Sequence, residues 1–247
     1  MVPLLSKSET SERIVILIRR FVAGQMKKID SLNLEDLVLN PFLIRTLNLQ
    51  TPEEIVEFFV NQRFQRGVVT AFGGLLEKGI ARMFAEAAKI PDIDLKFVRN
   101  GKNYYMQMKS GPEGFTGPAL KRTIERMQEL KRQDPSCLTL IAFAYGTERK
   151  LSRVWGKELE DAVEKAVVDK VLIGRAFWEF VLGDKDGYKI ILDLFMKAGL
   201  IQATTLDGRV RSLETARRDA VKRVLRQWKE KYGEGLQSIT SAIENNL

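Results

Sequence analysis

The chain has 247 residues, 45% of them hydrophobic, with 40 Lys and Arg against 32 Asp and Glu, a net charge of +8, no histidine and one cysteine, Cys137. The missing histidine excludes Ser-His-Asp and Cys-His catalysis and histidine metal sites, and a lone cysteine excludes a Cys-ligated zinc cluster and an internal disulfide framework. An enzyme of this composition works with carboxylates, lysines and a hard cation bound through oxygen, and its cysteine usage fits a reducing, cytoplasmic compartment.

A chain of this length can bury a substantial core as one large domain or two small ones. No run of 18 or more apolar residues exists, so no transmembrane helix is expected, and the first residues lack the pattern of a signal peptide. Residues 10–29 read as a helix with Ile14, Ile18, Phe21 and Val22 on one stripe. Residues 33–49 read as two short helical turns broken at Asn40-Pro41, and Thr51-Pro52 caps a further helix reaching about Phe64. Residues 67–90 carry apolar positions 76, 80, 83, 84 and 87 and predict one more helix, with Glu77 at the edge of the stripe. A carboxylate among small and apolar neighbours costs free energy unless it is paired or bound to a cation. The plainer alternative is that Glu77 turns out to solvent.

The run PDIDLKFVRNGKNYYMQMKSGP, residues 91–112, is the most informative stretch. Asn100-Gly101 between two β-prone runs signals a two-residue hairpin, because a type I′ turn needs positive φ at both central positions. The ladder then sets Phe97 opposite Tyr104, Leu95 opposite Met106, Asp94 opposite Gln107 and Asp92 opposite Lys109. Alternation puts Leu95, Phe97, Tyr104, Met106 and Met108 on a core face and gathers Asp92, Asp94, Gln107 and Lys109 on the other, where cross-strand neighbours lie about 5 Å apart. A solvated outer face with a surface ion pair would account for this spacing equally well.

GPEGFTGP then forms a Gly-rich loop, Pro118 to Gln133 an amphipathic helix, and CLTLIAFAYG, residues 137–146, a strand buried on both faces and parallel to its neighbour. Further helices are expected at about 157–168, 174–182 and 187–199, and a basic one at 212–232. Trp178 with Phe177 and Phe180 reads as core packing; Trp228 reads as core or dimer contact. Between Leu206 and Tyr232 nine basic residues stand against four acidic ones, which points to a polyanionic partner.

The order α–β–β–α–β, with Glu77 on the preceding helix, Asp94 on the first hairpin strand and Gln107-Met108-Lys109 ending the second, resembles the PD-(D/E)XK nuclease superfamily over Gly67 to Gly146. Asp92, after Pro91, matches the literal Pro-Asp and stands as second choice to Asp94. Two departures accompany the resemblance: Gln107 occupies the place of the second acid, and only two strands precede the post-motif helix where many members have three. The stretches LNPFLIRTLNL, GPEGFTGPALKR and IGRAFWEFVLGD look like a type II restriction endonuclease, with a weaker similarity to the group cutting GGNCC-type sites.

The resemblance implies an α/β fold with a restriction-endonuclease-like core, a central mixed β-sheet flanked by helices, and helical extensions at both ends. It implies one nuclease domain over 1–247: a helical N-terminal extension (1–66), a catalytic core (67–146) and a helical C-terminal part (147–247). It further implies Mg²⁺ held by Asp94, Glu77 and the carbonyl oxygen of Gln107, with Lys109 completing the catalytic set. The substrate would be double-stranded DNA cut at a short palindrome by a homodimer, with a cognate methyltransferase protecting host DNA. Candidate DNA contacts are Lys121, Arg122, Arg149, Lys150, Arg209, Arg211, Arg218, Lys222 and Arg226, each more often a phosphate contact or a solvated charge than a base reader. A structure-selective repair or recombination nuclease, and a DNA-binding protein whose site Gln107 has silenced, are the alternatives.

Overall fold

A computed structural model describes residues 7–85, 87–199, 203–204 and 210–245, and divides the chain into two units. One consists of the described residues up to Ile18 together with Phe72–Ala198, and the other of Arg19–Ala71 with the described residues from Gly199 onward. Helix α1 (Lys7–Asp30) and helix α3 (Pro52–Gly74) each contribute to both; α2 (Pro41–Thr46) lies wholly in the second.

The first unit is built on a five-stranded sheet whose strand order is the chain order: β1 (Ala88–Ile90), β2 (Ile93–Arg99), β3 (Lys102–Lys109), β4 (Leu138–Phe143) and β5 (Lys170–Ile173). The first three pair antiparallel; β3–β4 and β4–β5 pair parallel. The β2–β3 register is that expected of an Asn-Gly hairpin, with Leu95 opposite Met106, Phe97 opposite Tyr104 and Arg99 opposite Lys102. Asn100 and Gly101 take φ of 51° and 73°, the left-handed conformation that this turn demands. The mixed sheet flanked by helices is the fold class expected from the sequence.

Alternation loads both faces. Leu95, Phe97, Met106, Met108, Leu140, Ala142 and Leu172 face a core shared with Ile14 and Ile18 of α1 and with α7 (Arg175–Leu182) and α8 (Gly187–Gly199). Tyr105, Ile141 and Phe143 face a second core closed by α5 (Gly117–Gln133) and α6 (Glu148–Glu164). Trp178 belongs to the first core, its indole N–H donating to Ala144 O at 2.8 Å.

Three expectations are corrected. Residues 67–90 do not form one helix: α3 runs unbroken from Pro52 to Gly74, a π-helical turn follows over Leu75–Ile80, α4 (Ala81–Ala85) completes it, and β1 takes Ala88–Ile90. Three strands therefore precede α5, not two. Ala-Lys-Ile carries no strand signal, but the turn at Pro91-Asp92 folds it back so that Ile90 pairs with Ile93, and sheet pairing overrides local propensity. Strand β5 was also absent from the sequence pattern, and α6 begins at Glu148, capped by Thr147, rather than near 157.

Among the described residues, the regular structure of the second unit is helical apart from the two-residue strands β6 (Ala203–Thr204) and β7 (Val210–Arg211). Helix α9 (Leu213–Tyr232) lays Ala216, Ala220, Val224 and Trp228 against Ile55, Val56, Phe59 and Val60 of α3, and α10 (Gly235–Glu244) adds Ile239 and Ala242. Trp228 is fully buried and donates to Ser238 Oγ at 3.1 Å, which makes it core.

Candidate active site

The open end of the hairpin brings three sequence-predicted side chains together. Asp94 and Gln107, each 8% exposed, meet across β2 and β3, with Gln107 Nε2 donating to Asp94 Oδ2 at 2.5 Å. Two residues on, the Lys109 ammonium lies 3.9 Å from Asp94 Oδ2 and 3.9 Å from Glu77 Oε2. Both distances exceed a hydrogen bond, so the ammonium is held between two carboxylates by charge without being locked to either.

Glu77 reaches this point from the π-helical turn. Such turns offset the side chains that follow from a regular helical row and recur at functional positions. Its Oε1 accepts the backbone N–H of Ser110 at 3.1 Å, which ties the carboxylate to the residue after β3. Glu77 therefore does not turn out to solvent; its side chain is 16% exposed.

The Gly-rich loop supports Lys109 from the other side. Phe115, 5% exposed, presents its ring 5.4 Å from the Lys109 ammonium, within cation–π range. A methyl group added to Gly114 would sit 2.9 Å from Lys109 Cβ and 3.2 Å from its Cδ, so only glycine leaves room for the lysine stem. The loop is fixed to α6 by the Trp155 indole N–H donating to Pro112 O at 2.7 Å and by Lys150 paired with Glu113 at 2.5 Å. The hydrogen bond and charge of Lys150 hold the Glu113 carboxyl below its usual range. Nothing in the sequence pattern singled out Phe115, Gly114 or Trp155 as parts of this site; the Gly-x-x-Gly spacing of the loop was the available signal.

Gln107 Oε1 is buried and has no hydrogen-bond partner among the described residues. A buried acceptor left unpaired costs on the order of 1–3 kcal/mol, so this oxygen is set up for a ligand. Among the described residues no group of three or more His, Cys, Asp or Glu is placed to hold a metal ion. Two carboxylates and one amide oxygen nevertheless make a donor set of the kind Mg²⁺ accepts, since it binds oxygen and keeps several waters.

Other predicted residues fall elsewhere. Asp92 lies in the β1–β2 turn, exposed and at φ 61°, outside β2 and away from the ladder position opposite Lys109. Lys121 and Arg122 are exposed on α5, Lys121 lying 4.0 Å from Glu125. Arg149 is exposed at the start of α6, and Lys150 is engaged with Glu113. On α9, Arg218 pairs with Glu214 at 3.1 Å, whereas Lys222 and Arg226 are exposed and form no ion pair among the described residues. Arg209 and the side chain of Arg211 lie outside the described residues.

The family model for the type II restriction endonuclease EcoO109I matches residues 8–199. That span takes in the whole five-stranded sheet and the hairpin cluster and stops before α9. Among curated proteins, none matches the chain.

Proposed function

From the premise that the chain belongs to the EcoO109I family of type II restriction endonucleases, we propose that it cuts both strands of duplex DNA at a short palindrome in a Mg²⁺-dependent reaction centred on Asp94, Gln107, Lys109 and Glu77. The family makes it a site-specific deoxyribonuclease; the assignment of residues, metal and target is our reading. The observation that carries it is the convergence at the end of β2 and β3 of a buried carboxylate, an amide oxygen without a partner, and a lysine flanked by a second carboxylate.

The donor set is that of the PD-(D/E)XK superfamily with glutamine in the place of the second acid. Asp94 and Glu77 would hold the metal through carboxylate oxygens, and Gln107 through Oε1. A divalent cation bound there would lower the pKa of the attacking water and neutralise charge developing on the phosphate. Lys109, with three donors and a stem confined by Gly114 and Phe115, would orient the water and hydrogen-bond the non-bridging oxygen on which charge grows. Glu77, anchored by the Ser110 N–H, would limit the lysine's excursions.

Exposed cations on α5, at the start of α6 and on α9 would follow the phosphate backbone: Lys121, Arg122, Arg149, Lys222 and Arg226, with Arg209 and Arg211 as further candidates. Contacts of this kind position a protein on DNA and do not read its sequence. A homodimer would place one site on each strand of a palindrome, a GGNCC-type sequence is the candidate target, and a cognate methyltransferase would protect the host genome. Digestion of plasmid with Mg²⁺ and with EDTA, followed by sequencing of the ends, tests all of this together. Discrete fragments only with Mg²⁺ are expected. Binding without cleavage would favour the second reading, a DNA-binding protein whose site is silenced by Gln107.

A further inference from the structure

A cavity of about 580 Å³ lies within the helical unit, between α1 and the later part of α3. Lys28 comes to it from α1, and Arg63, Arg66 and Thr70 come from one face of α3 at positions i, i+3 and i+7. None of the three cations forms an ion pair among the described residues. The one carboxylate lining the cavity, Asp36, accepts the backbone N–H of Asn33 at 2.8 Å.

Gln25 supplies the second observation. It is 6% exposed, lines the same cavity and makes no hydrogen bond among the described residues. Its amide group opens onto the space of the cleft, where the acceptor oxygens of a ligand would take hydrogen bonds from the N–H₂. Gly67 sits on the same face of α3, and a methyl group added there would meet nothing within 4 Å, so the cavity owes part of its opening to the missing side chain.

We propose that this cleft is a phosphate-binding site separate from the catalytic cluster, in which Lys28, Arg63 and Arg66 supply charge and Gln25 a directed hydrogen bond. Three cations against one carboxylate select an anion, and an amide donor beneath them selects one with several acceptor oxygens. The phosphate group has two sources, the backbone of the DNA substrate or a free phosphate species. The first rests on the reading of the chain as a DNA-cutting enzyme, while the second does not.

The test uses the full chain, the Lys28→Ala/Arg63→Ala/Arg66→Ala variant, and a Gly67→Leu variant that fills the cleft while keeping every charge. Duplex DNA affinity is measured by anisotropy across a salt series, and thermal stability with inorganic phosphate against chloride at matched ionic strength. For a backbone site, the slope of log affinity against log salt falls by about two to three in the triple variant, at roughly 0.9 per lost contact, and Gly67→Leu loses phosphate protection. If phosphate protects the wild type alone and the DNA slope is unchanged, the site stands and its occupant is the free anion. If neither the slope nor phosphate protection differs among the three proteins, the proposal is overturned and the cations are a solvated face. Both readouts are binding and stability measured without cleavage, so an error about Asp94 and Lys109 would leave this result intact.

Discussion

Helix α9 and the end of β3 both carry charge, and they treat it in opposite ways. On α9 three of the arginines are closed into bonds within their own unit. Arg217 donates twice to Glu214, at 2.7 and 3.0 Å, and also to Asn61; Arg218 adds a bond to the same carboxylate; Arg223 donates to the carbonyls of Ile29 at 2.8 Å and Leu32 at 3.2 Å. At β3, Lys109 stands 3.9 Å from each of two carboxylates, and Gln107 Oε1 bonds to nothing among the described residues. A helix full of arginines reads from sequence as the obvious binding surface, yet much of its charge fastens the helix to its own unit. The less conspicuous cluster is the one left with capacity for a ligand. Local satisfaction distinguishes the two better than charge count.

The largest effect that could break this contrast is at the hairpin. Asp94→Ala and Lys109→Ala should each lower the single-turnover cleavage rate by about 10²–10³-fold or more, while DNA affinity in EDTA holds or tightens because a carboxylate near phosphate is removed in the first case. Asp92→Ala, altering an exposed turn residue, should cut at nearly the wild-type rate; a dead Asp92→Ala beside an active Asp94→Ala would move the site. Gln107→Glu should retain activity and reach half-maximal rate at a lower Mg²⁺ concentration.

Next in size is Gly114→Ala, whose added methyl must displace the Lys109 stem. A misplacement of about 1 Å can cost on the order of 10²-fold in rate, so cleavage should fall by about one to two powers of ten with the circular dichroism melt unchanged. A wild-type rate would show that the loop does not position the lysine.

On α9 the contrast sharpens into a split between neighbours. Arg223→Ala should lower unfolding free energy by about 1–3 kcal/mol in urea titration, since it strands two carbonyls, and Lys222→Ala/Arg226→Ala should leave stability unchanged while flattening the salt dependence of DNA binding by up to about 2 in slope. A stable Arg223→Ala protein would show that these bonds contribute little.

The smallest effect is a pH dependence. Bonding to Arg217, opposed by burial and assisted by Arg218, lowers the Glu214 carboxyl to about 2. A carboxyl depressed on folding stabilises the fold fully above its unfolded value near 4.5 and loses that contribution as pH falls toward about 2. Glu214→Gln should therefore flatten the stability profile between about pH 5 and pH 2, as followed by chemical denaturation at fixed pH.

The hairpin was legible because a two-residue Asn-Gly turn leaves no freedom in register: once Asn100-Gly101 is placed, Asp94 must meet Gln107. β4 was legible because a strand covered on both faces is apolar throughout. The π-helical turn at Glu77 was not, since its residues are ordinary helix formers and the extra residue per turn is set by packing. Asp92 was misplaced for a related reason. Continuing the ladder assumes that β2 stays straight, whereas Pro91-Asp92 turns the chain into β1, a strand too short to carry a pattern. The support of Lys109 by Phe115 and Gly114 depends on a loop whose path is fixed from α6, about forty residues later, and no local pattern encodes that.

The strand order has a consequence for biogenesis. Because the five strands stand in the sheet in the order in which they occur in the chain, each can dock on one already in place as the polypeptide leaves the ribosome, starting from a hairpin that forms in about 1–10 μs. The helical unit has no such route. Ile55, Val56, Phe59 and Val60 emerge before the strands of the sheet, but the residues that bury them, Ala216, Ala220, Val224 and Trp228, emerge only after the sheet is made. The nascent chain thus completes the sheet that bears Asp94 and Lys109 while the α3 face still awaits its cover, and a translation product truncated before α9 would carry an assembled hairpin alongside an exposed apolar helix, the form a quality-control chaperone binds.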